Sequence, residues 1–255
     1  FRLGGARSVV QRGGLFIDGR NTRFEEERIG ATASFSLPVF RRPDGSASVS
    51  LDYDFDYLRM LDDEYGDPDP NDILPRFPES DIKVAGVAAR FSYSDIEGYP
   101  YTLGPQRGKT LSLSMRVDHP NVGSDFTGLN LDYRFHTYWR MPWGRTPVLS
   151  MRFNGGIRTG NRERIGQFTL GGVPQQDVVQ SVLNNLRAGN TGYLRGYEFQ
   201  AAVGTQMHLM NMEYRQELWN IEWGLATLPL YLRKIHWAGL FDMGNAFDGE
   251  FDPLD

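Results

Sequence analysis

Ala47-Ser48-Val49-Ser50-Leu51-Asp52-Tyr53-Asp54-Phe55-Asp56-Tyr57 alternates without a break. Every odd position is apolar and every even one is serine or aspartate. Side chains on a strand point to opposite faces in turn, so this stretch is a β-strand with one apolar and one acidic face. Its eleven positions match the roughly 9–11 residues a tilted strand needs to cross a bilayer. Strands of soluble proteins usually stop near 5–6 residues.

The same period continues on both sides. Ile29, Ala31, Ala33, Phe35 and Leu37 alternate with Gly30, Thr32, Ser34 and Ser36, and Leu111, Leu113, Met115 and Val117 alternate with Ser112, Ser114, Arg116 and Asp118. Further strands read near Val9–Asp18, Ala85–Ser94, Leu129–His136, Val148–Arg158, Val203–Gln216 and Leu232–Phe247, giving about nine in all. Pro43-Asp44-Gly45 and Met141-Pro142-Trp143-Gly144 carry proline and glycine where tight turns need them. Longer polar connections lie between, notably the acidic 62–81 stretch, which is read as a loop because alternation resumes after it. Short turns on one side and long loops on the other is the pattern of an outer-membrane barrel, with the turns periplasmic. Tyr138, Trp139 and Trp143 cluster at one strand end and Trp219 and Trp223 at another on the same expected side. These aromatics suit a membrane interface, or the cap of a soluble β-sandwich core.

The 255 residues are enough for one large all-β unit. A net charge of -5 argues against a nucleic-acid partner, which would call for a basic face. There is no cysteine, hence no disulfide framework and no thiolate metal site. Mean hydropathy is -0.45 and no run of about 18 apolar residues occurs, so no transmembrane helix is expected. The chain starts at Phe1 without an initiator methionine or a signal peptide, so the start of a precursor is expected to be missing. There is no G-x-S-x-G elbow, no H-E-x-x-H and no phosphate-binding loop. The four histidines fall within or at the ends of expected strands without metal-ligand spacing. No enzymatic activity, cofactor or metal is expected, although barrel-embedded lipases do exist.

Arg195 lies on a long glycine-punctuated loop and Asp242 on an alternating strand. Taken alone, they are either an ion pair or two ordinary surface charges. Leu194-Arg195-Gly196-Tyr197, Asn211-Met212-Glu213-Tyr214 and Phe241-Asp242-Met243-Gly244, preceded by Gly171-Gly172, together resemble the C-terminal half of the surface-antigen outer-membrane barrels. That superfamily includes the BamA-type assembly proteins and the two-partner-secretion transporters. The resemblance spans about Phe168 to Phe247; upstream only the strand pattern supports it. It implies an all-β fold, an antiparallel transmembrane β-barrel of about sixteen strands. This chain would be a partial barrel domain over 1–255, holding roughly the fifth to thirteenth strands. The remaining strands would be absent.

The resemblance also implies that an extracellular loop at about 159–200 folds into the lumen, where Arg195 meets Glu213 and Asp242. Parity agrees: Glu213 lies with Asn211 and Arg215, and Asp242 with His236 and Gly244, on the polar side of their strands. Gly196 would permit the tight bend, and Tyr197 would pack on the wall and hydrogen-bond. Within the loop Val178, Val179, Val182, Leu183 and Leu186 recur at helical spacing after Asp177, an N-cap residue. This insertion separates Gly171-Gly172 from Arg195 more widely than in close assembly-type relatives. By analogy the protein would insert or translocate proteins at the Gram-negative outer membrane. Its expected partners are outer-membrane lipids including lipopolysaccharide, client proteins, and periplasmic modules or lipoproteins. The alternative is a barrel anchor or pore carrying a fused N-terminal soluble module, whether secretion transporter, propeller or enzyme.

Overall fold

The computed structural model describes residues 2–17, 20–60, 82–99, 102, 104–144, 147–160, 167–172, 193–198, 201–224 and 231–249. The helix expected near Asp177–Leu186 and the acidic 62–81 loop lie outside the described residues. Among the described residues there are eleven strands: β1 Arg2–Ile17, β2 Arg20–Arg42, β3 Gly45–Met60, β4 Ile82–Ser94, β5 Gly108–Asp118, β6 Gly128–Arg140, β7 Val148–Gly160, β8 Phe168–Leu170, β9 Ala202–Gly204, β10 Gln206–Gly224 and β11 Tyr231–Phe247. Nine of them form one antiparallel sheet in the order β1-β2-β3-β4-β5-β6-β7-β10-β11. These are the nine expected from alternation, at lengths of 11–23 residues. The pair β8 and β9 forms a separate two-stranded sheet within the long connection after β7. Three residues are too few for a periodic signal, so the sequence reading missed β8 and ran β9 into β10 as one strand near Val203–Gln216.

The β1–β2 ladder runs from Arg2 opposite Ser34 to Ile17 opposite Arg20. The two-residue turn Pro43–Asp44 then reverses the chain into β3.

The chain forms two compact units, one of Phe1–Ser36, Ser50–Ala89 and Arg116–Leu129, the other of Leu37–Val49, Arg90–Met115 and Asn130–Asp255. In the first unit charges of opposite sign link neighbouring strands and strands one apart. Arg28 pairs with Asp56, and Arg116 reaches both Asp54 (Nη1–Oδ1 2.5 Å) and Asp118 (Nη2–Oδ1 2.7 Å). Arg116 is on β5 and Asp54 on β3, so the guanidinium crosses β4. It does so over Gly86, where a Cβ would fall 2.7 Å from Arg116 Nη2 and against Asp118. The alternate face of β3 leaves Leu51 and Tyr53 exposed.

In the second unit Leu113, Met115, Phe241 and Met243 are exposed, and so are Trp139, Trp143, Trp219 and Trp223 at the strand ends. An exposed apolar band of this extent is what a lipid-facing surface requires, and monomeric soluble proteins rarely carry one. The main buried apolar cluster is small: Leu170, Leu194, Leu209 and Ala246, flanked by Ala202 and Met207. It sits where the long loop meets β10 and β11.

Candidate functional site: a loop seated on β10 and β11

The register of β10 and β11 sets the site. Asn211 lies opposite Asp242 and Glu213 opposite Leu240. On the other side of β10, Arg152 of β7 lies opposite Asn211 and Ser150 opposite Glu213. Directly opposed residues of antiparallel strands share a face. Arg152, Asn211 and Asp242 therefore form one transverse row across three strands.

Onto this row comes the loop. Leu194 donates its N–H to Gly171 O (3.0 Å) and Gly172 donates to Glu198 O (2.8 Å), so the Gly171-Gly172 pair and residues 194–198 lie back to back. A Cβ on Gly172 would strike the Tyr197 carbonyl, which explains the glycine. Gly196 has φ +83°, a conformation that side-chain-bearing residues avoid, and it turns the chain tightly after Arg195. Leu194 is buried beside Leu170, Leu209 and Ala246. Gly244 permits that packing, since a Cβ there would come within 3.0 Å of both Leu170 and Leu209. Burying one leucine of this kind contributes about 1.5–3 kcal/mol, which makes Leu194 the apolar anchor of the loop.

Asp242 is the polar anchor. Its Oδ2 accepts the Arg195 backbone N–H (3.2 Å) and its Oδ1 accepts Asn211 Nδ2 (2.8 Å). Asn211 Nδ2 also reaches Tyr193 O at 3.1 Å, tying the loop backbone to β10. The Arg195 side chain adds charge attraction, with Nε 3.6 Å from Asp242 Oδ2. That distance is beyond hydrogen-bonding range. The two partners differ in exposure, 45% for the Arg195 side chain and 5% for that of Asp242.

The sequence-derived set is thus brought together only in part. Arg195, Gly196, Leu194, Gly171, Gly172, Gly244 and Asp242 meet at the seat. Glu213 does not complete a two-carboxylate clamp: its Oε1 lies 3.6 Å from Arg215 Nε on its own strand. The position opposite Asp242 belongs to Asn211. Tyr197, expected against the wall, is exposed, because the turn at Gly196 directs the chain away after Arg195. Phe241 points to the apolar face and is exposed there. Asn211 is the residue that sequence reasoning missed. It stood inside a quoted motif with the right parity, but its partner depends on register.

Around the seat, glycines on β7 let side chains lie flat. The Phe168 ring packs where a Cβ of Gly156 would be, and the Arg158 guanidinium covers that ring at 4.0 Å. Further along the same face His136 Nε2 lies 2.8 Å from Ser150 Oγ. Its Nδ1 faces Tyr138 Oη at 3.1 Å, where a hydrolase triad would place a carboxylate. Among the described residues no three His, Cys, Asp or Glu side chains converge as metal ligands would.

No protein-family profile matches the chain, and no curated protein matches it. Among solved structures, BamA from Haemophilus ducreyi lacking POTRA domains 1-3 matches with a TM-score of 0.50 at 16% identity. The match covers 85% of this chain and 42% of that one, so the chain spans less than half the length of the protein it resembles. At this identity the likeness is one of fold. The chain is all-β and antiparallel and has the fold of a BamA-like β-barrel.

Proposed function

We propose that this chain is the barrel part of an outer-membrane protein that inserts or translocates other proteins at that membrane. The observation that carries the reading is the seat itself. One face of β11 offers Asp242 to the loop, while Phe241 and Met243 of the same strand are exposed apolar residues. The physical sense is a wall with lipid on one side and a folded-in loop on the other. Through its described residues such a loop is held by a few polar contacts and one leucine, which an entering polypeptide can displace. A passive pore has no use for a displaceable plug, whereas a machine that admits a polypeptide does. On this reading the partners are outer-membrane lipids including lipopolysaccharide, client proteins, and periplasmic modules or lipoproteins. The location is the outer membrane of a Gram-negative-type envelope.

Conditional depletion of the full-length protein in its own host tests the reading. Loss of folded, heat-modifiable outer-membrane proteins as a class is the expected result and identifies insertion. Failure of one secreted protein, with the others unchanged, identifies translocation. If both persist, transport is refuted and the protein is an anchor or pore for a fused soluble module.

A further inference from the structure

At the end of the sheet away from the Arg195 loop, the β4–β5 connection does more than join two strands. Its described residues are 95–99, 102 and 104–107. It first prolongs the hairpin: Asp95 donates its N–H to Lys109 O (3.1 Å), Glu97 to Arg107 O and Gln106 to Glu97 O, both at 3.0 Å. It then tightens on itself, with Thr102 Oγ1 2.8 Å from Tyr99 O and 3.0 Å from Gly104 O. Beyond that it leaves its own strands. A Cβ on Gly104 would stand 3.0 Å from Nη1 of Arg215, a residue of β10. In the sheet β6 and β7 lie between β5 and β10. With strands about 4.8 Å apart, the connection has crossed roughly 14 Å of sheet to reach that side chain.

The crossing runs over the polar face. Arg215 lies on the face of Glu213 and Asn211, and Val148, opposite Arg215 in register, is buried although it belongs to a sheet residue beside a turn. Gln106 is buried as well. Thr102, Gly104, Gln106, Val148, Arg215 and His236 line a residual space of about 30 Å³, room for about one water molecule. Gly104 has φ +106°, so a residue with a side chain is disfavoured there both by the backbone and by the guanidinium.

We propose that the β4–β5 connection is an inward-turned strap. It covers the polar side of the sheet at its tight-turn end, so that passage along this face requires the strap to leave Arg215. The Arg195 loop covers the same face about four residues further along β10, near Asn211, which is about 13 Å at the rise of a strand. The polar face then carries two covers, one from each end. The inference rests on the barrel fold and not on the transport reading.

Two measurements on the full-length protein test it. In planar bilayers Gly104→Val is expected to raise the mean conductance several-fold, because the new side chain displaces the strap. Unchanged conductance in a correctly folded variant overturns the proposal. The chain has no cysteine, so once any cysteine elsewhere in the full-length protein is replaced by serine, Val148→Cys supplies a single thiol for labelling by a membrane-impermeant maleimide. With the strap unaltered, that thiol is expected to label much more slowly than one at the exposed turn residue Trp143→Cys. Equal rates at the two positions overturn the proposal even if Gly104→Val does not fold. Failure of the barrel itself is read separately, as loss of the heat-modifiable band on a denaturing gel.

Discussion

Replacing Asp242 by alanine removes the acceptor on which three groups converge: the Arg195 N–H, the Asn211 amide and, more distantly, the Arg195 guanidinium. Hydrogen bonds to a charged group contribute about 1.5–3 kcal/mol each, and donors left without a partner in a buried site add to the loss. Only the Arg195 N–H bond joins the loop to the sheet, since Asn211 and Asp242 both lie on strands, so together with the guanidinium attraction Asp242→Ala weakens loop attachment by about 2–4 kcal/mol. Arg195→Ala is a different matter. It keeps the backbone N–H and removes only a half-exposed charge at 3.6 Å, an interaction of about 0.2–1 kcal/mol. Since about 1.4 kcal/mol is tenfold in an equilibrium, Asp242→Ala is expected to raise the open population of the loop more than tenfold and Arg195→Ala less than tenfold. The assay is native-state proteolysis of the loop in proteoliposomes, at protease levels where cleavage follows the open population. A double-mutant cycle sharpens it. Asn211→Ala and Asp242→Ala should be strongly coupled, and Arg195→Ala and Asp242→Ala only weakly. If Arg195→Ala opens the loop as far as Asp242→Ala does, the side chain of Arg195 is the anchor and the reasoning fails.

Leu113→Arg and Ser114→Arg test the two faces of β5. Leu113 is exposed on the apolar face, where an arginine near mid-membrane costs about 2–4 kcal/mol, so folding into lipid vesicles should suffer far more than with Ser114→Arg. Equal folding yields would show the faces to be misassigned. Gly86→Val should separate Arg116 from Asp54 and Asp118, at the roughly 1–3 kcal/mol typical of an overpacked site, read as a lower urea midpoint of vesicle-bound protein. An unchanged midpoint would mean that the guanidinium does not need the space over β4.

What the sequence determined by itself was the β character, the two faces and the places of the nine long strands, though not their ends: β2 starts at Arg20 where alternation was read from Ile29. Alternation is a local property: each residue of Ala47–Tyr57 declares its face regardless of what lies alongside. The same locality set the limit at the site. Sliding β10 by two residues against β11 leaves every side chain on its original face, so parity put Asn211 and Glu213 on the loop's side without saying which of them lies beside Asp242. The shared ladder of hydrogen bonds decided it, placing Asn211 opposite Asp242 and leaving Glu213 to Arg215. Motif residues that act through backbone shape, such as Gly171, Gly172 and Gly196, were legible because glycine marks positions where no side chain fits. Contacts that skip strands were not. The passage of Arg116 over Gly86 and the reach of Gly104 to Arg215 join residues far apart in the chain, with nothing periodic between them. Only the packed sheet brings such residues together, because the spacing and order of its strands, and not the pattern within any one of them, determine what lies within a side chain's length.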